Sequence, residues 1–216
     1  MPARTAQHGE PQMTSKNAAR QPDTRERILE EALPLFAQHG YAGTSTRMIA
    51  KAAGVNVATL AYYFQGKEGL YFAVLERLYT DMMRFIPTTM PPLGPNTARW
   101  LATQLWSFAR DHRTHIRLAL RHFLDKGNHA DVVVNEWTQP ILERVQGLVL
   151  GLRPEWTPVR ARLFVFSAMH MVVRFAVEQP QQMATMMSMG SVRDIDEEVI
   201  GFLEEYIQTM VPTPTA

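Results

Sequence analysis

From Ser45 to Lys67 the chain reads STRMIAKAAGVNVATLAYYFQGK, a stretch that admits few folds because two short helical patterns flank a single glycine-centred break. Thr46 to about Ala53 sets Ile49 and Ala50 facing inward and Arg47 and Lys51 facing out, so one side can be buried while the other stays in water. Gly54 then supplies the backbone freedom for a sharp reversal. Asn56 can cap a second helix by accepting from the orphan N–H of Ala58 or Thr59, and Leu60 with Phe64, four residues apart, forms its buried stripe. Val57, Ala58, Thr59, Tyr62 and Tyr63 are left for the exposed face. Two short helices joined in this way have the layout of a helix-turn-helix.

The exposed residues suit a helix whose N-terminal end enters a major groove. Small side chains allow close approach, and Thr59 can donate or accept a hydrogen bond. Tyr62 and Tyr63 add hydroxyls that can reach phosphates. Lys67, after the Gln65-Gly66 break and at the start of the next helix, adds a compact cation and a positive helix end for the same backbone. The plainer alternative, tyrosines as packing residues and the lysine as a solvated cap, is equally open for an isolated turn of this kind.

The match is longer than a turn. Through LFAQHGYAGTSTRMIAKAAGVNVATLAYYFQGKEGLY the chain resembles the TetR-type transcriptional regulators, over roughly Asp23 to Met83. In that family a first helix ends in a glycine and an aromatic, a T-S or T-T pair opens helix two, and a T-L-x-x-x-F-x-x-K run forms helix three and the start of helix four. All of these elements are present. The resemblance implies a homodimer that reads a palindromic double-stranded DNA operator, with a larger C-terminal helical domain that binds a small effector and thereby weakens DNA binding. It also implies that Ser45 and Thr46 touch phosphate, that Arg47 contacts a guanine, and that Thr59, Tyr63 and Lys67 touch backbone or bases.

Three departures from the family pattern stand out. Ala61 sits where many members place a phosphate-binding tyrosine, for which Tyr62 can substitute. Met48 stands where an acidic residue often completes a capping box, so Ser45 must cap alone. Pro34 falls within helix one, where it removes the N–H that would bond Glu30 and predicts a kink or a tightened turn.

Composition sets outer bounds. The 216 residues are 46% hydrophobic without a long apolar run, enough for one or two domains with real cores and no membrane span. Residues 1–22 lack the apolar centre of a secretory signal and read as a disordered arm, which places the protein in the cytoplasm. Arg4, Lys16 and Arg20 of that arm can reach an adjacent minor groove, or simply remain solvated. Cysteine is absent, which excludes disulfide staples, thiolate metal sites and a thiol redox sensor in this sequence. A net charge of +1 excludes general polyanion binding, and the slight basic excess lies in the first 84 residues.

The expected organisation is all-α: the arm, a three-helix DNA-binding domain over 23–69, a helical effector-binding and dimerisation domain over 70–211, and a flexible tail over 212–216. FIPTTMPPLGPN marks the junction or a loop beside it. Helices are then expected from a cap at Asn96 through Trp100, Leu101, Leu105 and Phe108; from Thr114 to Gly127; from Asp131 to Leu152, bent or split at Pro140; from Thr157 to Glu178; and from Asp194 to Met210. The last two resemble the pair that builds the four-helix dimer interface of TetR-type proteins. A helix that is apolar on most sides must be buried from more than one direction, by its own domain and a partner or by a monomeric core.

Candidates for an apolar effector pocket are Trp100, Trp106, Phe108, Phe123, Trp137, Phe166, Met169, His170 and Arg174, with the 13 methionines as adaptable lining. His170 and Arg174, one turn apart in an apolar helix, serve as polar anchors or pair near the dimer seam; an aromatic stripe at helical spacing also makes an ordinary core. His112, His115, His122 and His129 invite a metal reading, but a break near Arg113 separates them and no acidic partners are evident, so no metal or cofactor is expected. A phosphate loop, a nucleophile elbow and a paired acid are all missing, which argues against an enzyme. Two alternatives to a ligand-released repressor remain: an activator with the same DNA-binding half, and a helical carrier or enzyme of apolar ligands with a vestigial helix-turn-helix.

Overall fold

In the computed structural model, residues 23–87, 94–124 and 133–210 are described. The arm over 1–22, half of the Pro- and Gly-rich junction, His129 and the tail lie outside them. Among the described residues ten α-helices follow one another and there is no strand: α1 (Thr24–Gly43), α2 (Thr46–Ala52), α3 (Val57–Phe64), α4 (Lys67–Phe85), α5 (Thr97–Asp111), α6 (Arg113–Leu124), α7 (Gln139–Leu152), α8 (Pro158–Val177), α9 (Pro180–Met186) and α10 (Ile195–Gln208). A π-helical turn, Val133–Thr138, leads into α7, and a 3-10 turn, Val192–Asp194, leads into α10.

The first three helices close over Ile28, Ala32, Phe36, Ile49, Leu60 and Phe64, all buried, and α4 completes this small core with Leu70 and Val74. Gly69 brings α4 against the end of α3: a Cβ there would stand 2.0 Å from the Phe64 carbonyl oxygen, so only glycine fits. Further along, α4 packs on α6 and on the π turn, where Tyr79 and Ile141 share a second apolar cluster with Trp137. Helix α4 therefore belongs to both halves of the molecule.

In the larger half, α5 lies along α10, burying Ala98, Ala102, Trp106 and Ala109 against Ile195, Val199 and Leu203. Polar contacts stitch the same seam. Arg99 pairs with Glu197 and Glu204, Arg110 pairs with Asp196, and the Trp106 indole N–H donates to Asp196 at 2.9 Å. Helix α8 packs against α5, α6 and α7.

Several sequence expectations change here. Asn96 makes no side-chain cap; Thr97 instead accepts from the Gly94 N–H at 2.7 Å. The buried face of α5 is its alanine–Trp106 side, which leaves Trp100 46% exposed. Helix α1 runs through Pro34 with helical backbone angles, and the chain kinks instead at Gly40, whose φ of +71° and ψ of 177° lie outside the helical region. Thr157 caps α8 by accepting from the Arg160 N–H, and Pro158 takes the first turn. Pro140 likewise opens α7 behind the π turn. The short helix α9, inside the Met-rich segment, was not anticipated: it buries Met183 and Ala184 and turns Met186 and Met187 outward.

Candidate nucleic-acid interface

Helix α2 starts at Ser45, whose hydroxyl accepts from the Met48 N–H at 3.2 Å with no acidic partner. It ends where Arg27 of α1 donates to the Ala53 carbonyl at 2.9 Å. Gly54, at φ +63°, turns the chain into α3. There Asn56 accepts twice from Thr59, from its backbone N–H at 2.7 Å and its hydroxyl at 2.9 Å. Leu60 and Phe64 hold the opposite side of α3 in the core, and the Arg25 guanidinium of α1 lies 5.3 Å from the Phe64 ring centroid. Two caps and a buried stripe thus fix the orientation of an eight-residue helix that would be marginal alone.

What this orientation presents is a contiguous outer face. Val57, Ala58, Tyr62 and Tyr63 are exposed, Thr59 half-exposed, and Asn56 stands at the N-terminal edge. The Tyr62 ring, 83% exposed, meets Tyr63 edge-on with centroids 5.2 Å apart. Because the Thr59 hydroxyl proton is spent on Asn56, its oxygen is left as an acceptor and its methyl as an apolar contact. Ser45, Thr46 and Arg47 sit at the start of α2, with Arg47 fully outward. Gln65 and Gly66, both at positive φ, turn the chain so that α4 opens at Lys67.

Lys67 is neither free nor buried. Its ammonium donates to the Tyr41 carbonyl at 3.0 Å and lies 4.2 Å from the centroid of the Tyr41 ring. One of its three protons is therefore committed, and the others remain for an anion at the α4 N-terminus. Tyr41 is a residue that sequence reasoning did not assign; its place directly after Gly40 in the quoted motif was the available signal. Arg25 and Arg27 were missed as well, since contacts 26 and more residues away leave no mark in local spacing.

The nine residues considered for an effector pocket do not converge. Trp106 is buried against Asp196, while Trp137 packs with Tyr79 and Phe72. Phe108 is sandwiched between Phe85 and His112, with ring centroids 4.7 and 4.0 Å away. Trp100 and Phe123 are exposed, and Met169 is half-buried. Phe166, His170 and Arg174 lie on the outer side of α8; the His170 ring sits on Phe166 and Arg174 pairs with Glu178. With Val159, 68% exposed, and Leu163, 63% exposed, they form one continuous stripe, and Phe202 of α10 adds a further outward aromatic.

A cavity of ≈ 190 Å³ lies elsewhere, between α1, α4 and the α5–α6 turn, with Leu29, Leu33 and Val74 as its apolar wall and Arg77, Asp81 and His115 among its polar groups. None of the nine candidates lines it. His115 is lowered to about 4, by burial first and then by His112 and Arg77, with Asp81 opposing. His112 accepts this arrangement from the end of α5, its Nε2 3.5 Å from Asp81. The break at Arg113 turns His112 and His115 towards α4, whereas His122 is buried beside Tyr71, 3.2 Å from its hydroxyl. Among the described residues no three histidines or carboxylates are placed to hold a metal ion, and no helix is long and apolar enough to cross a membrane.

Residues 28–74 match the family model described as "Bacterial regulatory proteins, tetR family". The "Probable HTH-type transcriptional regulator YttP" of Bacillus subtilis is 35% identical over 102 residues, 45% of this chain and 49% of that protein. The "HTH-type transcriptional repressor NicS" of Pseudomonas putida is 29% identical over 109 residues, 50% of this chain and 51% of that protein. The chain thus spans about half the length of these curated relatives. Among solved structures, Salmonella enterica GusR aligns with a TM-score of 0.67 at 15% identity, covering 91% of this chain and 99% of that one, a likeness of fold.

Proposed function

We propose that this chain, whose residues 28–74 match the tetR family of bacterial regulatory proteins, is a transcriptional repressor: a homodimer that binds a palindromic double-stranded operator through α2 and α3 and leaves it when a small apolar effector binds the helical core. The observation that carries the DNA-binding reading is the outer face of α3. It is small at Val57 and Ala58, polar at Thr59, aromatic with hydroxyls at Tyr62 and Tyr63, and held in one orientation by the Asn56 cap and the Leu60–Phe64 stripe. Such a face admits a base edge at close range while the hydroxyls, Ser45, Thr46 and Lys67 take phosphates on either side.

The apolar stripe on α8, continued by Phe202, supports the dimer. Val159, Leu163 and Phe166 recur one helical turn apart and are left in solvent by their own subunit, an arrangement that a second copy related by a two-fold axis would bury. His170 and Arg174, at the far end of the same stripe, then belong to the subunit seam rather than to an effector site. Repression is the reading closest to NicS, whose name states it; the effector's chemistry rests on the aromatic content of the core.

The test is selection from a random duplex pool by the purified protein, followed by anisotropy titration of the winning duplex across a salt series. A palindromic winner bound with a steep salt dependence is expected, with Lys67→Ala and Tyr63→Ala weakening all duplexes and flattening that dependence, and Arg47→Ala relaxing one base position. If no duplex is enriched and binding is uniformly weak, the α3 face is not a reading surface.

A further inference from the structure

We propose that Arg121, on the last turn of α6, is a positioning residue for the reading head: it holds the end of α1, and hence the turn into α2, in the place that DNA contact requires. The contact itself stands on geometry; its consequence for DNA rests on the function proposed above.

The end of α1 must find donors for carbonyls that a helix terminus leaves unpartnered. Thr44, 1% exposed, supplies one hydroxyl proton between two of them, Leu35 at 3.1 Å and Gly40 at 2.8 Å. Lys67 takes the Tyr41 carbonyl at 3.0 Å. Arg121 takes the Gln38 carbonyl, its Nη1 donating at 3.3 Å across a sequence separation of 83. The first two donors come from the turn and from the start of α4, whereas Arg121 comes from the core. A guanidinium at this point also meets the negative end of the α1 dipole.

Gly40 shapes the socket. Its φ of +71° and ψ of 177° fall in a region reserved in effect to glycine. A Cβ at this residue would stand 3.0 to 3.2 Å from Nε, Cζ and Nη2 of Arg121. The guanidinium therefore occupies the space that any side chain would fill, and the residue that lets the backbone turn also admits the core's cation. Next to Arg121, His122 lies 3.2 Å from the Tyr71 hydroxyl on α4, and the Tyr71 ring meets Tyr41 with centroids 5.1 Å apart. The last turn of α6 thus grips the α1 end directly and α4 through its neighbour. Ser45, Thr46 and Arg47 follow this turn within a few residues, so the placement of α2 depends on where α6 stands.

The experiment uses the full chain, Arg121→Ala, Arg121→Lys, and Arg117→Ala as a control that removes an exposed positive charge from the same helix. Backbone hydrogen exchange is followed in the free proteins, and anisotropy is measured with the duplex that the wild type selects, across a salt series. Arg121→Ala is expected to speed exchange over residues 41–50 about fivefold or more, and to weaken specific binding about 5- to 20-fold with an unchanged salt slope, because no phosphate contact is lost. Lysine should restore part of both, and Arg117→Ala should move neither. Unchanged exchange in Arg121→Ala overturns the contact whatever the DNA result. Faster exchange with unchanged affinity overturns the positioning role, as does a salt slope that falls by about one, which would make Arg121 a phosphate ligand instead. If the wild type selects no duplex, the DNA-binding reading fails and the positioning role with it, while exchange still decides the contact.

Discussion

The reading head and the helical core are built by different means. In the head, the starts of α2 and α3 and the outward face of α3 are set by contacts three and four residues apart: Ser45 on Met48, Asn56 on Thr59, Leu60 with Phe64. In the core, α5 and α10 are placed by Arg99 with Glu197 and Glu204, Arg110 with Asp196, and Trp106 with Asp196, all 86 to 105 residues apart. A surface made by local rules shows its outward residues in the sequence. A surface made by distant rules does not, which is why the face of α3 was visible beforehand and the facing of the core aromatics was not.

The largest expected effect breaks the head where α4 meets the backbone at the end of α3. Gly69→Ala places a methyl 2.0 Å from the Phe64 carbonyl oxygen, where the backbone itself must move. We expect a loss of ~4 kcal/mol or more in denaturant unfolding, with α3 losing its exchange protection before α5 and α10 do. If stability falls by less than ~1 kcal/mol, α3 and α4 are not packed this closely. The core offers a matched pair of somewhat smaller consequence. Trp106→Ala removes a buried indole and its bond to Asp196 and should cost ~3–5 kcal/mol, whereas Trp100→Ala, at an exposed site on the same helix, should stay within ~0.5 kcal/mol. Equal losses would mean that the structure has assigned the faces of α5 wrongly.

That pair also shows where the sequence runs out. Apart from α9, helix existence was legible: Pro158 and Thr157 opened α8, Pro140 announced a break, and the Gly54 turn lay where the motif puts it. The face of α5 was not. Leu101, Leu105 and Phe108 outrank Ala98, Ala102 and Ala109 on any hydrophobic count, yet the alanines are the more deeply buried because small residues let α10 approach closely. Similarly, the sequence left His170 and Arg174 open to two readings, ligand anchors or partners near a subunit seam, and they stand on the outer of the two apolar sides of their helix. No local signal separates an inner stripe from an outer one when both are apolar. Arg121 is the extreme case, an arginine whose partner lies 83 positions back.

A third effect arises where the two halves meet. His115, beside the α1–α4 cavity, is lowered to about 4, chiefly by burial, while an unfolded histidine titrates near ~6.5. The unfolded chain therefore takes up the proton first as pH falls. Stability is complete above pH ~6.5, declines as pH drops towards 4 and levels off below it, by up to ~3 kcal/mol and less where solvent screens the ring. His112, Arg77 and Asp81 face the same site, so the measurement is a difference: denaturation midpoints between pH 7.5 and 4.5 for the wild type and for His115→Gln. The variant should lose the greater part of that slope. Parallel curves would place the acid sensitivity elsewhere.

The smallest effect bears most directly on the head's local construction. Asn56→Ala removes the oxygen that accepts both the N–H and the hydroxyl of Thr59, and should cost ~1 kcal/mol, the ordinary worth of an N-cap. The same change frees the Thr59 hydroxyl, which regains its proton as a donor. Stability and recognition should then part company: Asn56→Ser, which keeps an acceptor, should restore most of the stability, while Asn56→Ala should alter base preference at the position Thr59 faces, read by repeating the duplex selection. A variant that loses stability but selects the same duplex would show that the cap serves the fold alone, and that Thr59 reads its base through its methyl group.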